Sequence, residues 1–214
     1  PLGPGLSDPS ASVQLRGSDR LPAEAAEVKA MGTGDAGTVD AGTVDRTLTG
    51  ERADLAQTLA KHRDFLRFTT RDITDEQAAQ RTTVSELCLG GIIKHVTGVE
   101  RNWARFIVEG PSTRRSWEDA ESVQEWLDGF RMLPGETLAG LLDDYAAAAR
   151  QTDDLLATLP DLDASRPLPE APWYEPGARW SARRVLLHVI AETSQHAGHA
   201  DIIREAIDGA KTMG

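Results

Sequence analysis

The stretch "LLHVIAETSQHAGHADIIRE", Leu186 to Glu205, decides how the chain reads. It holds His188, Glu192, His196 and His199, in a sequence with only 5 histidines. Its apolar residues recur at helical spacing, and the spacing predicts a long helix from about Ser181 to a terminating glycine, Gly209. At about 100° of turn per residue, with His188 as zero, Glu192 lies near 40°, His196 near 80° and His199 near 20°. The four share one face with Val185 and Ile203, so that face points inward. A carboxylate and imidazoles inside a helical bundle are costly if unpaired. A metal ion removes most of that cost, because it binds neutral imidazole and ionised carboxylate. Glu192 and His196, at i and i+4, can chelate one ion. "HAGH" offers a rival pair at i and i+3, His196 and His199, in which Glu192 is displaced.

Two ligands from one helix need a third from another. His95 is the candidate, since Ile92, Val96 and Val99 place it on the apolar side of its own helix. His62 is set aside because "KHRD" reads as a solvated helix face. Working outward, Leu55, Leu59, Phe65 and Leu66 predict a first helix over about 50–71. "TVSE", Thr83 to Glu86, has the spacing of a capping box. A second helix follows it through Ile92, Ile93, Trp103, Phe106 and Ile107, and "GP" at Gly110–Pro111 stops it. A short helix is expected within Trp117 to Phe130. A third long helix begins after Pro134–Gly135, with Leu138, Leu141, Leu142, Tyr145, Leu155, Leu156 and Leu159 on one stripe. Pro167, Pro169, Pro172 and Pro176 then predict a loop without regular structure. Four long helices with apolar stripes and no convincing strand describe an all-α fold, a four-helix bundle.

Residues 1–47 are rich in Gly, Pro, Ser, Ala and Asp, carry the tandem repeat "DAGTVDAGTV" at Asp35–Val44, and read as a flexible extension. Met31 reads either as a natural start, with residues 1–30 vector-derived, or as an internal residue. The domain proper is expected over 48–214.

The 214-residue chain has a formal net charge of −11. That argues against nucleic acid and against an anionic membrane surface, both of which need clustered cations. No apolar run approaches the roughly 20 residues that span a bilayer, and the opening lacks the basic-then-apolar pattern of a secretory leader. The single cysteine, Cys88, cannot form an internal disulfide, so a reducing, cytoplasmic setting is expected. Cys88 has no base near it in sequence and begins an apolar helix, so it is not read as a nucleophile. Lysine stands only at Lys29, Lys61, Lys94 and Lys211. The remaining cations are arginines, a bias that suits a GC-rich genome.

"LGGIIKHVTGVERNWARFIVEG" and "ARWSARRVLLHVIAETSQHAGHADIIREAIDG" resemble the DinB/YfiT-like superfamily of metalloenzymes, most nearly an actinobacterial branch. The resemblance runs over about Glu51 to Gly209. It implies a four-helix bundle, often a homodimer, whose metal is held by one His of the second long helix and two ligands four residues apart on the last. Carried over, these are His95, Glu192 and His196. Many relatives have His where Glu192 stands; the Glu-x-x-x-His version is similar to mycothiol-dependent maleylpyruvate isomerase, a zinc enzyme. The tail and the Pro-rich loop have no counterpart in these motifs, so the resemblance does not name the substrate.

Three protein ligands leave a coordination position open, the pattern of catalytic rather than structural zinc. The resemblance thus implies an enzyme that uses zinc, or else iron or nickel, to bind a small thiol such as mycothiol as thiolate. The thiolate attacks an electrophilic substrate, giving S-transfer or a cis–trans isomerisation. His199 or His188 would orient a ligand or shuttle the proton. Arg179, Arg183 and Arg184 are placed to receive a carboxylate, or else are solvated residues of a first turn. Trp173 and Tyr174 would wall the pocket, or else anchor the loop. Two readings of other classes stay open: a non-haem iron(II) oxygenase, which uses the same donor set, and a non-catalytic metal-binding stress protein.

Overall fold

A computed structural model describes residues 48–112, 120–171 and 174–212. The expected N-terminal extension, residues 1–47, and Trp173 lie outside the described residues. Among the described residues, six helices and two short strands follow in the order α1 (Gly50–Phe68), α2 (Asp75–Ala79), α3 (Leu89–Glu109), α4 (Ala120–Asp128), α5 (Leu138–Thr158), β1 (Ser165–Pro167), β2 (Arg179–Ser181) and α6 (Ala182–Asp208). The four long ones form the bundle. α1 packs on α6 and α5, and α3 packs on α5 and α6, so each has two neighbours and the ring closes. This is the all-α four-helix bundle that the resemblance implies.

Among the described residues, most of the buried apolar side chains fall into two clusters. One joins Leu55 of α1, Phe106 and Ile107 of α3, Leu156 of α5, and Val185 and Leu186 of α6. The other joins Leu66 of α1, Ile92, Ile93 and Val96 of α3, Leu141 and Tyr145 of α5, and Ala197, Ala200 and Ile203 of α6. Membership fixes direction: α1 and α6 run from the first cluster to the second, whereas α3 and α5 run back. The α3–α5 connection therefore crosses the length of the bundle, and α4 lies on that crossover. Between the clusters sits a polar layer. Arg63 of α1 (3% exposed) pairs with the fully buried Glu100 of α3, and its Nη1 donates to Asp153 of α5 at 2.8 Å.

Several helix ends follow the sequence. Gly110 closes α3 at φ +85°, and Gly209 closes α6 in the left-handed region at φ +79°, backbone that glycine adopts without a Cβ penalty. Four expectations need correction. α1 ends at Phe68 rather than near 71, because the Thr69 and Arg71 carbonyls turn to the Arg204 guanidinium of α6. "TVSE" forms no capping box. Thr83 accepts from the Ser85 N–H, and α3 starts later, at Leu89, with the Cys88 thiol accepting from Gly91 N–H. The capping box that does form belongs to α2, between Thr74 and Gln77. The Pro-rich stretch is not without regular structure: β1 and β2 pair antiparallel, Ser165 with Ser181 and Pro167 with Arg179. Pro167 fits because it ends an edge strand, where a missing N–H costs little. Lastly, "KHRD" is not wholly solvated, since its Arg63 faces the core.

Candidate metal centre

α3 and α6 lie side by side, antiparallel, and present polar side chains to each other at the level of the second apolar cluster. The apolar stripe of each helix puts them there. His95 follows Ile92 and Ile93 and precedes Val96, all buried; Glu192 and His196 flank the buried Thr193 and Ala197. One ligand atom from each of His95, Glu192 and His196 lies within 4.8 Å of the other two. Glu192 Oε2 stands 3.6 Å from His196 Nε2 and 4.0 Å from His95 Nε2. Two metal–ligand bonds of about 2.1 Å span up to about 4.2 Å, so each of these pairs can share one ion.

The electrostatics suit a cation. Burial, then the nearby His196, lowers the His95 pKa to about 4, so its imidazole is neutral at pH 7 with a lone pair to give. His196 is also lowered, by burial first, with Glu192 opposing and His199 adding. The buried Nδ1 atoms of His196 and His199 have no hydrogen-bond partner among the described residues. A carboxylate faces two neutral imidazoles across gaps too long for hydrogen bonds, so the lone pairs of the three groups are not engaged by one another. A divalent ion fits this donor set.

The other expected residues are distributed as follows. His188 Nε2 lies 3.7 Å from the second oxygen of Glu192, Oε1, so the carboxylate faces His188 on one side and the His95–His196 pair on the other. Burial lowers the His188 pKa, against the pull of Glu192. His199 is one turn along α6 from His196, ring centroids 5.4 Å apart. Arg183 is not placed as a receiver of substrate carboxylate. Its guanidinium is already shared by Glu51 of α1 and Asp163 of the α5–β1 loop. Arg184 instead lies with Cζ 4.3 Å over the Trp180 ring. Tyr174 is edge-on to that same indole at 5.9 Å.

Sequence reading missed the setting of His188. Trp103 and Trp180 stack at 4.9 Å and 18°, and the His188 ring meets each edge-on at 5.1 Å. Trp103 comes from α3 and Trp180 from β2, so no periodicity within one element joins them to α6. It also missed Phe130, whose ring stacks on His95 at 4.1 Å and 22°. A signal for it existed in the adjacent glycines, Gly90 and Gly91, which mark a close backbone approach.

An up-down-down-up bundle with two histidines and a carboxylate converging from its second and last long helices defines a DinB/YfiT-like protein. A family model described as mycothiol-S-transferase matches residues 54–209, more than half of the chain. The chain belongs to that family. Its bundle is also similar to a crystal structure described as a conserved protein of locus from Enterococcus faecalis. That match has a TM-score of 0.55 and 13% identity, over 76% of this chain and 100% of that one; it shows the fold alone. Leucine-rich repeat-containing protein 61 of Bos taurus is 38% identical over 61 residues, which is 28% of this chain and 23% of that protein. The chain thus spans less than a quarter of that curated relative. No helix among the described residues is long and apolar enough to cross a membrane.

Proposed function

We propose that the protein is a metal-dependent thiol S-transferase, or an isomerase working through the same thiol chemistry, with His95, Glu192 and His196 as ligands. The observation that carries this is the convergence of those three donors, from two helices, in a chain of the mycothiol-S-transferase family. Zinc is the ion of choice, since it accepts imidazole, carboxylate and thiolate in four-coordinate sites with one position open. When bound, the ion supplies a positive charge that keeps the sulfur of mycothiol or a similar small thiol ionised at neutral pH.

The chain's own residues do the rest. Trp103 and Trp180 confine His188 beside Glu192, close enough to take a proton leaving the site. His199, with its free Nδ1, is the second candidate for that proton. The thiol S–H proton passes to one of these imidazoles. The sulfur then forms a bond to the electrophilic carbon, and the leaving group departs with its bonding pair and takes the proton. For an isomerisation, sulfur adds to a conjugated double bond, the bond rotates, and sulfur leaves again. Tyr174 and Arg184, around Trp180, stand where the substrate's remaining part would lie.

The test is elemental analysis of tag-free protein, paired with turnover of mycothiol and a chloro-aromatic electrophile. Wild-type protein is expected to hold one zinc per chain and to form the thioether. His95→Ala, Glu192→Ala and His196→Ala are expected to lose both. Stoichiometric metal in all three variants would refute the ligand set. Iron as the bound metal, with thiol-independent oxygen uptake, would move the protein to oxygenase chemistry.

A further inference from the structure

The crossover between α3 and α5 touches α3 at one unusually close point. A Cβ on Gly91 would lie 2.0 Å from the Phe130 carbonyl oxygen and 2.9 Å from the Arg131 nitrogen; one on Gly90 would lie 2.9 Å from Met132 Sδ. Residues 130–132 therefore rest directly on the α3 backbone. His95 lies one turn beyond Gly91, on the same face of the helix. From its seat on Gly91 the Phe130 side chain reaches along that face and stacks flat on the His95 imidazole.

This seat is built from several directions. Phe130 N–H donates to the Leu127 carbonyl at 3.1 Å, and Arg131 pairs with Asp128. Glu136 accepts from Leu133 N–H at 2.6 Å and from Lys94, the residue before His95, at 2.6 Å. Trp126 meets the Phe130 ring edge-on at 5.0 Å. Among the described residues, by contrast, none accepts a hydrogen bond from the His95 ring, and Glu192 is 4.0 Å away. A ligating imidazole is ordinarily fixed by a hydrogen bond from its other nitrogen.

We propose that Phe130, docked through the Gly90–Gly91 pair, takes the place of that hydrogen bond. It is a positioning residue, whose ring holds the His95 imidazole so that Nε2 aims at Glu192 and His196. The proposal rests on the ligand set argued above. It assigns the two glycines a purpose that helix formation does not, since glycine inside a helix is unfavourable relative to alanine.

The test measures metal affinity, by competition for Zn2+ against a chromophoric chelator, together with the melting of metal-free protein and the visible spectrum of Co2+-loaded protein. Phe130→Ala and Phe130→Leu are expected to weaken Zn2+ binding about tenfold or more, the usual effect of losing a residue that orients a ligand, and to alter the Co2+ band. Phe130→Tyr, which keeps the flat ring, is expected to stay near wild type. Gly91→Ala should weaken binding as Phe130→Ala does, although alanine favours the helix, because its methyl group expels the 130–131 backbone. A purely structural residue would lower the melting point of metal-free protein and leave affinity unchanged well below it. Wild-type affinity in Phe130→Ala or in Phe130→Leu, with His95→Ala metal-free, overturns this proposal and spares the ligand set. Metal retained by His95→Ala overturns both.

Discussion

At the residue scale, His95 shows how burial prepares a side chain. In the unfolded chain its pKa is the ordinary 6.5, and in the fold it is about 4. Between pH 6.5 and about 4 the unfolded state therefore binds a proton that the folded state does not. The neutral ring's advantage is intact above pH 6.5 and is lost as pH falls from 6.5 through about 4. The His95 side chain is only 18% exposed, so the loss amounts to on the order of 2–3 kcal/mol. Metal-free protein is thus expected to melt at progressively lower temperature across that window, and His95→Gln, which cannot titrate there, should show a flatter profile in the same buffers. Parallel profiles for the two proteins would mean that His95 titrates normally in the fold. Glu192 carries the complementary asymmetry, one oxygen toward His188 and the other toward His95 and His196. That split was legible in sequence only in part: spacing put Glu192 one turn from each histidine, but it said nothing of which oxygen faces which.

At the element scale, α6 begins where β2 ends. Ser181 closes the strand pair and caps the helix, its hydroxyl accepting from Arg184 N–H at 3.1 Å. Ser181→Ala is expected to cost about 1 kcal/mol, read as a lower urea midpoint with an unchanged slope; no shift would mean that the strand pairing alone fixes the helix start. α6 itself was plain in the sequence, because its apolar period runs for seven turns and Gly209 ends it. The start of α3 was misread because a sequence pattern cannot choose between "TVSE" and a thiol five residues on, and the choice is made by burial of Leu89 and Gly90. The strands were invisible: three residues each, one with a proline, held by pairing across the loop rather than by any local period. Arg63 was hidden for a similar reason. Its chain neighbours Lys61 and Asp64 are exposed, while its partners Glu100 and Asp153 are far along the sequence. The convergence of His95, Glu192 and His196 was readable because each shows on its own helix; the Trp103–Trp180 pair around His188 was not, because it exists only after three elements have met.

At the scale of the whole molecule, the polar layer separates two apolar clusters and joins α1, α3 and α5 through one guanidinium. Glu100 accepts from Nε at 3.3 Å and from Nη2, and the remaining Nη1 goes to Asp153, so the buried Arg63 and Glu100 are matched by charge and hydrogen bond. Such a network is weak evidence for net stability, because desolvating both ions offsets much of their attraction. Removing one partner is another matter, since it strands a charge where water cannot reach. Arg63→Met and Glu100→Leu, measured separately by urea melts of metal-free protein, are each expected to lose about 3–5 kcal/mol. The double variant Arg63→Met/Glu100→Leu removes the stranded charge and leaves Asp153, which is partly exposed, to water. It should therefore lose much less than the sum of the two, and no more than either alone. Strictly additive losses would mean that the two side chains act through packing and that their pairing is incidental. Near-equality of the double variant and wild type would show that the layer sets the register of three helices without strengthening them, leaving the neighbouring His95, Glu192 and His196 aligned by geometry that hydrophobic burial alone can supply.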